Sequence, residues 1–78
     1  MHYVYILSLS NKDNYVGYTD NLRIRIKDHN EGRCDTTKKH RPVKMIWYCA
    51  FADKYKALTF ESYLKNGSGH AFRNKHLI

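Results

Sequence analysis

The stretch Tyr3-Val4-Tyr5-Ile6-Leu7-Ser8 is aromatic or aliphatic at every position but its last. A short run without period-two alternation suits a strand covered on both faces, which places it at the centre of a sheet. The chain must then cover that strand from a total of only 78 residues. A domain this short buries a modest fraction of its surface, so two layers around one core are expected.

The following residues supply the neighbours. Asn11, Lys12, Asp13 and Asn14 form a turn cluster, and Tyr15 to Tyr18 reads as a second short strand, so the two strands make an antiparallel hairpin. Thr19 or Asp20 is the expected helix cap. Leu22, Arg25, Ile26 and His29 then share one helical face, and the helix ends near Gly32. Arg33 to Pro42 reads as a basic loop, and Lys44 to Phe51 as a third strand. Asp53 caps a second helix whose apolar stripe is Ala57, Phe60 and Leu64. Gly67 and Gly69 are expected to end it, with Lys65 to Gly69 a cap and turn and Ala71 to Leu77 a last short helical turn. The order β-β-α-β-α predicts an α/β (α+β) fold, with a small, three-stranded, mainly antiparallel sheet flanked by helices. No linker or repeat divides residues 1–78, so one domain is expected.

Composition narrows the function classes. Hydrophobic residues at 42% and charged residues at 27% describe a globular chain, not a disordered one. No apolar run approaches the roughly 20 residues that span a bilayer. The first residues lack the pattern of a secretory signal. Cys34 and Cys49 make neither a disulfide framework nor a zinc site, and read as free thiols in a reducing cytoplasm. The formal charge of +7 points to nucleic acid as the partner, the bland alternative being charge for solubility.

Three features carry chemistry. Glu61 falls within the apolar stripe of the second helix, and a buried carboxylate needs a partner, either an ion pair or a hard cation such as Mg²⁺. Arg25 and His29 stand one turn apart at the edge of an apolar face. A fixed arginine there either clamps a phosphate or neutralises Glu61. Four of the seven tyrosines, Tyr3, Tyr5, Tyr15 and Tyr18, sit on the hairpin. Tyr5 and Tyr15 share a face if the register allows. Gly17, inside a strand, marks a close approach by a ligand or another part of the chain. No phosphate-cradling loop, nucleophile elbow or paired-carboxylate motif is present.

Tyr3-Val4-Tyr5 followed by Tyr15-Val16-Gly17 resembles the paired motifs that name the GIY-YIG nuclease superfamily. Leu22-Arg23-Ile24-Arg25-Ile26 with His29 looks like its arginine helix, and Ala57 to Glu61 with Leu64-Lys65 is similar to its metal-carboxylate helix. The likeness is strongest to small single-domain bacterial proteins of the UPF0213 or excinuclease-subunit-C-like type. These often carry relatives of Arg41-Pro42-Val43-Lys44 and of Lys65-Asn66-Gly67-Ser68-Gly69 with Phe72. Almost all of the chain is covered. Tyr3 departs from the glycine of the first motif, and Tyr18 follows Gly17 where some relatives place a lysine.

The resemblance implies a Mg²⁺- or Mn²⁺-dependent endonuclease that hydrolyses phosphodiester bonds in DNA, in repair, recombination or DNA processing. Tyr5 would line the site and Tyr15 would deprotonate or orient water. Arg25, rather than Arg23, would neutralise the phosphate, His29 would assist there, and Glu61 would hold the metal. Arg23, Arg33, Lys38, Lys39, Arg41, Arg73 and Lys75 are expected to contact backbone phosphates. The alternatives are a non-catalytic nucleic-acid-binding module, or an accessory subunit whose protein partner chooses the substrate. The sequence leaves RNA open as a substrate and fixes no oligomeric state.

Overall fold

The computed structural model describes residues 1–77. Three strands, β1 (His2–Ser8), β2 (Asn14–Thr19) and β3 (Lys44–Phe51), form an antiparallel sheet in the order β2-β1-β3. Three helices, α1 (Leu22–Asn30), α2 (Lys54–Lys65) and α3 (Gly67–His76), complete an α+β fold, with one 3-10 turn at Lys38–His40. The central position of β1 follows from its composition. Val4, Tyr5, Ile6 and Leu7 are each at most 1% exposed, and flanking strands cover both edges.

Two apolar clusters form, one on each face of the sheet, so the expectation of two layers around one core is corrected. The even side of β1 carries Val4 and Ile6, which pack with Val16 and with Ala57 and Leu64 of α2. The odd side carries Tyr5 and Leu7, which pack with Val43, Tyr15, and Leu22 and Ile26 of α1. A strand with large side chains on both faces has no solvent side, and so demands a helix above and below.

Short-range chemistry sets the connections. In the β1–β2 turn, Asn11 Oδ1 accepts the Asp13 N–H at 3.1 Å, and Lys12 takes the left-handed conformation at φ 71°. The cap of α1 is Asn21, not Thr19 or Asp20. Its Oδ1 accepts the Ile24 N–H at 3.2 Å, while the Thr19 hydroxyl binds the Asn21 backbone one step earlier. The helix closes at Gly32 (φ 79°), whose N–H reaches His29 O while the Arg33 N–H reaches Asp28 O. This is the paired arrangement of a left-handed C-terminal cap. Asp53 caps α2 as expected, accepting from the Tyr55 N–H at 2.8 Å.

The glycines after α2 act differently from the turn expected of them. Asn66 alone breaks the helix, in an extended conformation, and a ten-residue helix begins at Gly67. Gly69 is buried, and a Cβ there would overlap the Tyr63 carbonyl. Its missing side chain lets α3 sit against the end of α2, which is a packing role rather than a turn role.

Candidate active site

The odd side of β1 builds the site. Tyr5 pairs directly with Gly17 of β2, and Leu7 with Tyr15. Tyr5 and Tyr15 are therefore diagonal neighbours on one face, their ring centroids 6.4 Å apart. The close approach at Gly17 comes from within the chain, since a Cβ there would overlap Cζ and Oη of Tyr5.

Helix α1 crosses this face and lowers two polar groups onto Tyr5. Arg25 Nε donates to Tyr5 Oη at 3.3 Å, and His29 Nε2 lies 3.0 Å from the same oxygen. The other imidazole nitrogen, His29 Nδ1, is 2.7 Å from Thr37 Oγ1. His29 and Thr37 are fully buried. The Tyr15 ring meets the His29 ring edge-on at 5.2 Å. Tyr15 is half-buried, and its hydroxyl makes no hydrogen bond among the described residues.

Electrostatics follow from this packing. Burial pushes the Tyr5 hydroxyl up to about 12, opposed in part by the Arg25 hydrogen bond. Tyr5 thus keeps its proton at neutral pH and serves as a fixed hydrogen-bonding post. Burial, and then the Arg25 charge, hold His29 below its ordinary value, which favours the neutral imidazole. The hydrogen bond to Tyr5 raises Arg25 further and keeps it cationic. The result is a lasting positive charge over a neutral, fully hydrogen-bonded base layer, with a tyrosine hydroxyl open beside it.

The loop after α1 is pinned to that helix. Arg41 lies across Gly32 and donates to Lys38 O at 2.8 Å and to Asn30 O at 3.5 Å. Asn30 Oδ1 accepts the Val43 N–H at 3.0 Å. Between these anchors the loop delivers Thr37 to His29, and Cys34 Sγ to 4.0 Å from Arg25 Nη2.

Glu61 comes from a different helix, α2. That helix packs on the even side of the sheet, against β1 and β2, and among the described residues no hydrogen bond joins Glu61 to the Tyr5 cluster. The Glu61 side chain is 19% exposed, and its Oε2 is paired with Lys65 Nζ at 3.3 Å. Among the described residues no three His, Cys, Asp or Glu side chains converge as a metal cage. A single accessible carboxylate does fit Mg²⁺, which binds through one or two carboxylates and fills its remaining positions with water and substrate phosphate.

The basic residues divide by availability. Arg23 is exposed and lines a shallow depression with Tyr3, Asp20, Asn21 and Leu22. Lys39 and Lys75 are exposed and unpaired among the described residues. Arg33 is held between Asp28 at 2.9 Å and Glu31 at 2.8 Å. Lys38 lies 3.5 Å from Asp35, and Arg41 is spent on backbone carbonyls. Arg73 is corrected as a phosphate contact. It is 9% exposed and hydrogen-bonds His70 at 3.0 Å, because α3 turns it inward.

Sequence reasoning brought Tyr5, Tyr15, Arg25 and His29 to one place, and the structure does the same. It missed Thr37, which follows no periodicity. The available signal was the buried His29 itself, since an imidazole on an inward face needs a partner for its second nitrogen.

Comparison with known proteins matches this architecture. Residues 1–75 match the model of the GIY-YIG catalytic domain. A UPF0213 protein of Lacticaseibacillus paracasei is 34% identical, covering 88% of this chain and 79% of that one. A UPF0213 protein of Clostridium perfringens is 42% identical, covering 83% and 71%. The solution NMR structure of a UPF0213 protein from Bacillus halodurans aligns with a TM-score of 0.60 at 32% identity, covering 94% of this chain and 79% of that one. With the paired tyrosine strands, the arginine helix and the α+β order all in place, the chain belongs to the GIY-YIG catalytic domain family.

Proposed function

We propose that this chain is a divalent-metal-dependent endonuclease that hydrolyses phosphodiester bonds in DNA. The observation that carries the reading is the hydrogen-bonded set Arg25–Tyr5–His29 with Tyr15 open beside it. Arg25 neutralises the phosphate as charge builds in the transition state, from a position already fixed by Tyr5. Tyr15 orients or deprotonates the attacking water. Tyr5 and His29 hold the geometry and exchange no proton with the substrate, since both are buried. Glu61 would hold Mg²⁺ or Mn²⁺, and such an ion supplies charge stabilisation at the phosphate oxygens. Arg23, Lys39 and Lys75 are the exposed cations suited to flanking phosphates. Cleavage of this kind fits DNA repair, recombination or processing.

The test is a cleavage panel of single-stranded, flapped, junction and duplex DNA with an RNA control, in Mg²⁺, Mn²⁺ or chelator. The expected result is metal-dependent cleavage of at least one DNA substrate, lost in Arg25→Ala. Binding without cleavage on every substrate would instead establish a nucleic-acid-binding module.

A further inference from the structure

Tyr5, His29 and Thr37 form an unbroken buried chain, and the polarity of that chain decides how Arg25 is held. Arg25 Nε–H can only donate, so Tyr5 Oη must accept it. If His29 Nε2 also carried a proton, Tyr5 Oη would accept twice and its own proton would find no acceptor in a site where Tyr5 is 1% exposed. A cation donating to the hydroxyl oxygen also makes that hydroxyl a better donor, so the bonds strengthen one another when they run in one direction. That direction is Arg25 Nε–H to Tyr5 Oη, Tyr5 O–H to His29 Nε2, and His29 Nδ1–H to Thr37 Oγ1. The last bond is the shortest of the three, at 2.7 Å.

We propose that Thr37 is a positioning residue of the cleavage site: its Oγ1 accepts the His29 Nδ1 proton, fixes the imidazole as the Nδ1–H tautomer, and thereby aims the Tyr5 lone pair at Arg25. The role in cleavage rests on the nuclease reading, whereas the tautomer does not. Thr37 touches neither metal nor substrate. It works through three successive hydrogen bonds, from a loop whose placement depends on the Arg41 anchor across Gly32.

The experiment is a long-range proton–nitrogen correlation spectrum of labelled imidazoles in the full chain at neutral pH, for the wild type, Thr37→Ser and Thr37→Val. His29 is assigned by its absence in His29→Gln. The wild type and Thr37→Ser are expected to show His29 protonated on Nδ1. Thr37→Val, which keeps the shape but lacks the acceptor, is expected to lose that preference. In single-turnover cleavage, Thr37→Val should slow the step about 10- to 100-fold, as loss of an outer-shell partner does. DNA affinity should be unchanged, and Thr37→Ser should restore the rate. A wild-type His29 protonated on Nε2 overturns the proposal, and so does a Thr37→Val variant that keeps Nδ1–H. Should Thr37→Val not fold, the wild-type tautomer and the Thr37→Ser rate decide alone. Absence of cleavage in the wild type refutes the nuclease reading while the tautomer result stands by itself.

Discussion

The Tyr5 ring fills the space that a side chain at Gly17 would need, because the two residues face each other across β1 and β2. Gly17→Ala therefore cannot be absorbed without moving a ring that two hydrogen bonds hold in place. Overpacking of this kind costs about 1–3 kcal/mol. A drop of that size in denaturant stability is expected, with cleavage falling further than stability explains. The same substitution in a Tyr5→Ala background, where the ring is gone, should cost much less stability. Equal costs in both backgrounds would show that the ring is not the obstacle.

Arg25 and Arg23 differ by about 200° around the helix, so only one faces the sheet. Arg25 reaches Tyr5, while Arg23 is exposed at the mouth of the Tyr3 depression. Arg25→Ala should lower the single-turnover rate by about 10²-fold or more, as loss of a preorganised charge-stabilising donor does. Arg25→Lys should recover little, because an ammonium lacks the planar fork. Arg23→Ala should weaken DNA binding modestly and leave the rate at saturation near wild type.

Glu61→Gln should abolish metal-dependent cleavage while the fold persists. Removing an unpaired buried charge stabilises a chain. The ion pair with Lys65 alters that expectation, because an accessible i,i+4 pair contributes only about 0.3–0.5 kcal/mol. The thermal midpoint should stay close to wild type. Full cleavage by Glu61→Gln in Mg²⁺ would remove this residue from metal binding.

Burial and the Arg25 charge hold His29 below 6.5, the value it takes in the unfolded chain. As pH falls below about 6.5 the unfolded chain gains a proton that the folded chain refuses, so stability declines with acidification. Above that point His29 contributes no pH dependence. Denaturation midpoints across the mildly acidic range should fall in the wild type, and with a shallower slope in His29→Gln. An unchanged slope would place the acid sensitivity in other groups.

Lys39 and Lys75 are free for phosphate, whereas Arg33 is enclosed by Asp28 and Glu31. Neutralising both lysines should lower the log–log salt slope of DNA binding by about two units, and Arg33→Gln by much less than one. A larger effect from Arg33 would mean that DNA displaces its carboxylate partners.

The strands were legible because their residues allow little else. An apolar stretch as short as Tyr3 to Leu7 fills a central strand, and β3 was delimited at its observed ends, Lys44 and Phe51. Helix α3 was not legible, because Gly67 and Gly69 read as breakers from the sequence. Gly69 is instead required by contact with the Tyr63 carbonyl, which only the assembled helix pair reveals. In the site, periodicity located Arg25 and His29, since one helical face carries both. Thr37 arrives from a loop whose path depends on Arg41 and Asn30, and no local pattern encodes that path. The loop's positive charge was legible, but its pairing with Asp28, Glu31 and Asp35 was not.

The alternation of side chains along β1 sets where this chain is free to vary. Val4 and Ile6 answer only to packing against α2, so volume-conserving replacements there, compensated by Ala57 or Leu64, adjust stability while the opposite face stays as it is. Tyr5, the residue between them, answers to an arginine, a histidine and a glycine together. A single-residue insertion or deletion within β1 would exchange the two roles, bringing Tyr5 against α2 and an aliphatic side chain under Arg25. Length within this strand is therefore more tightly constrained than the identity of half its residues.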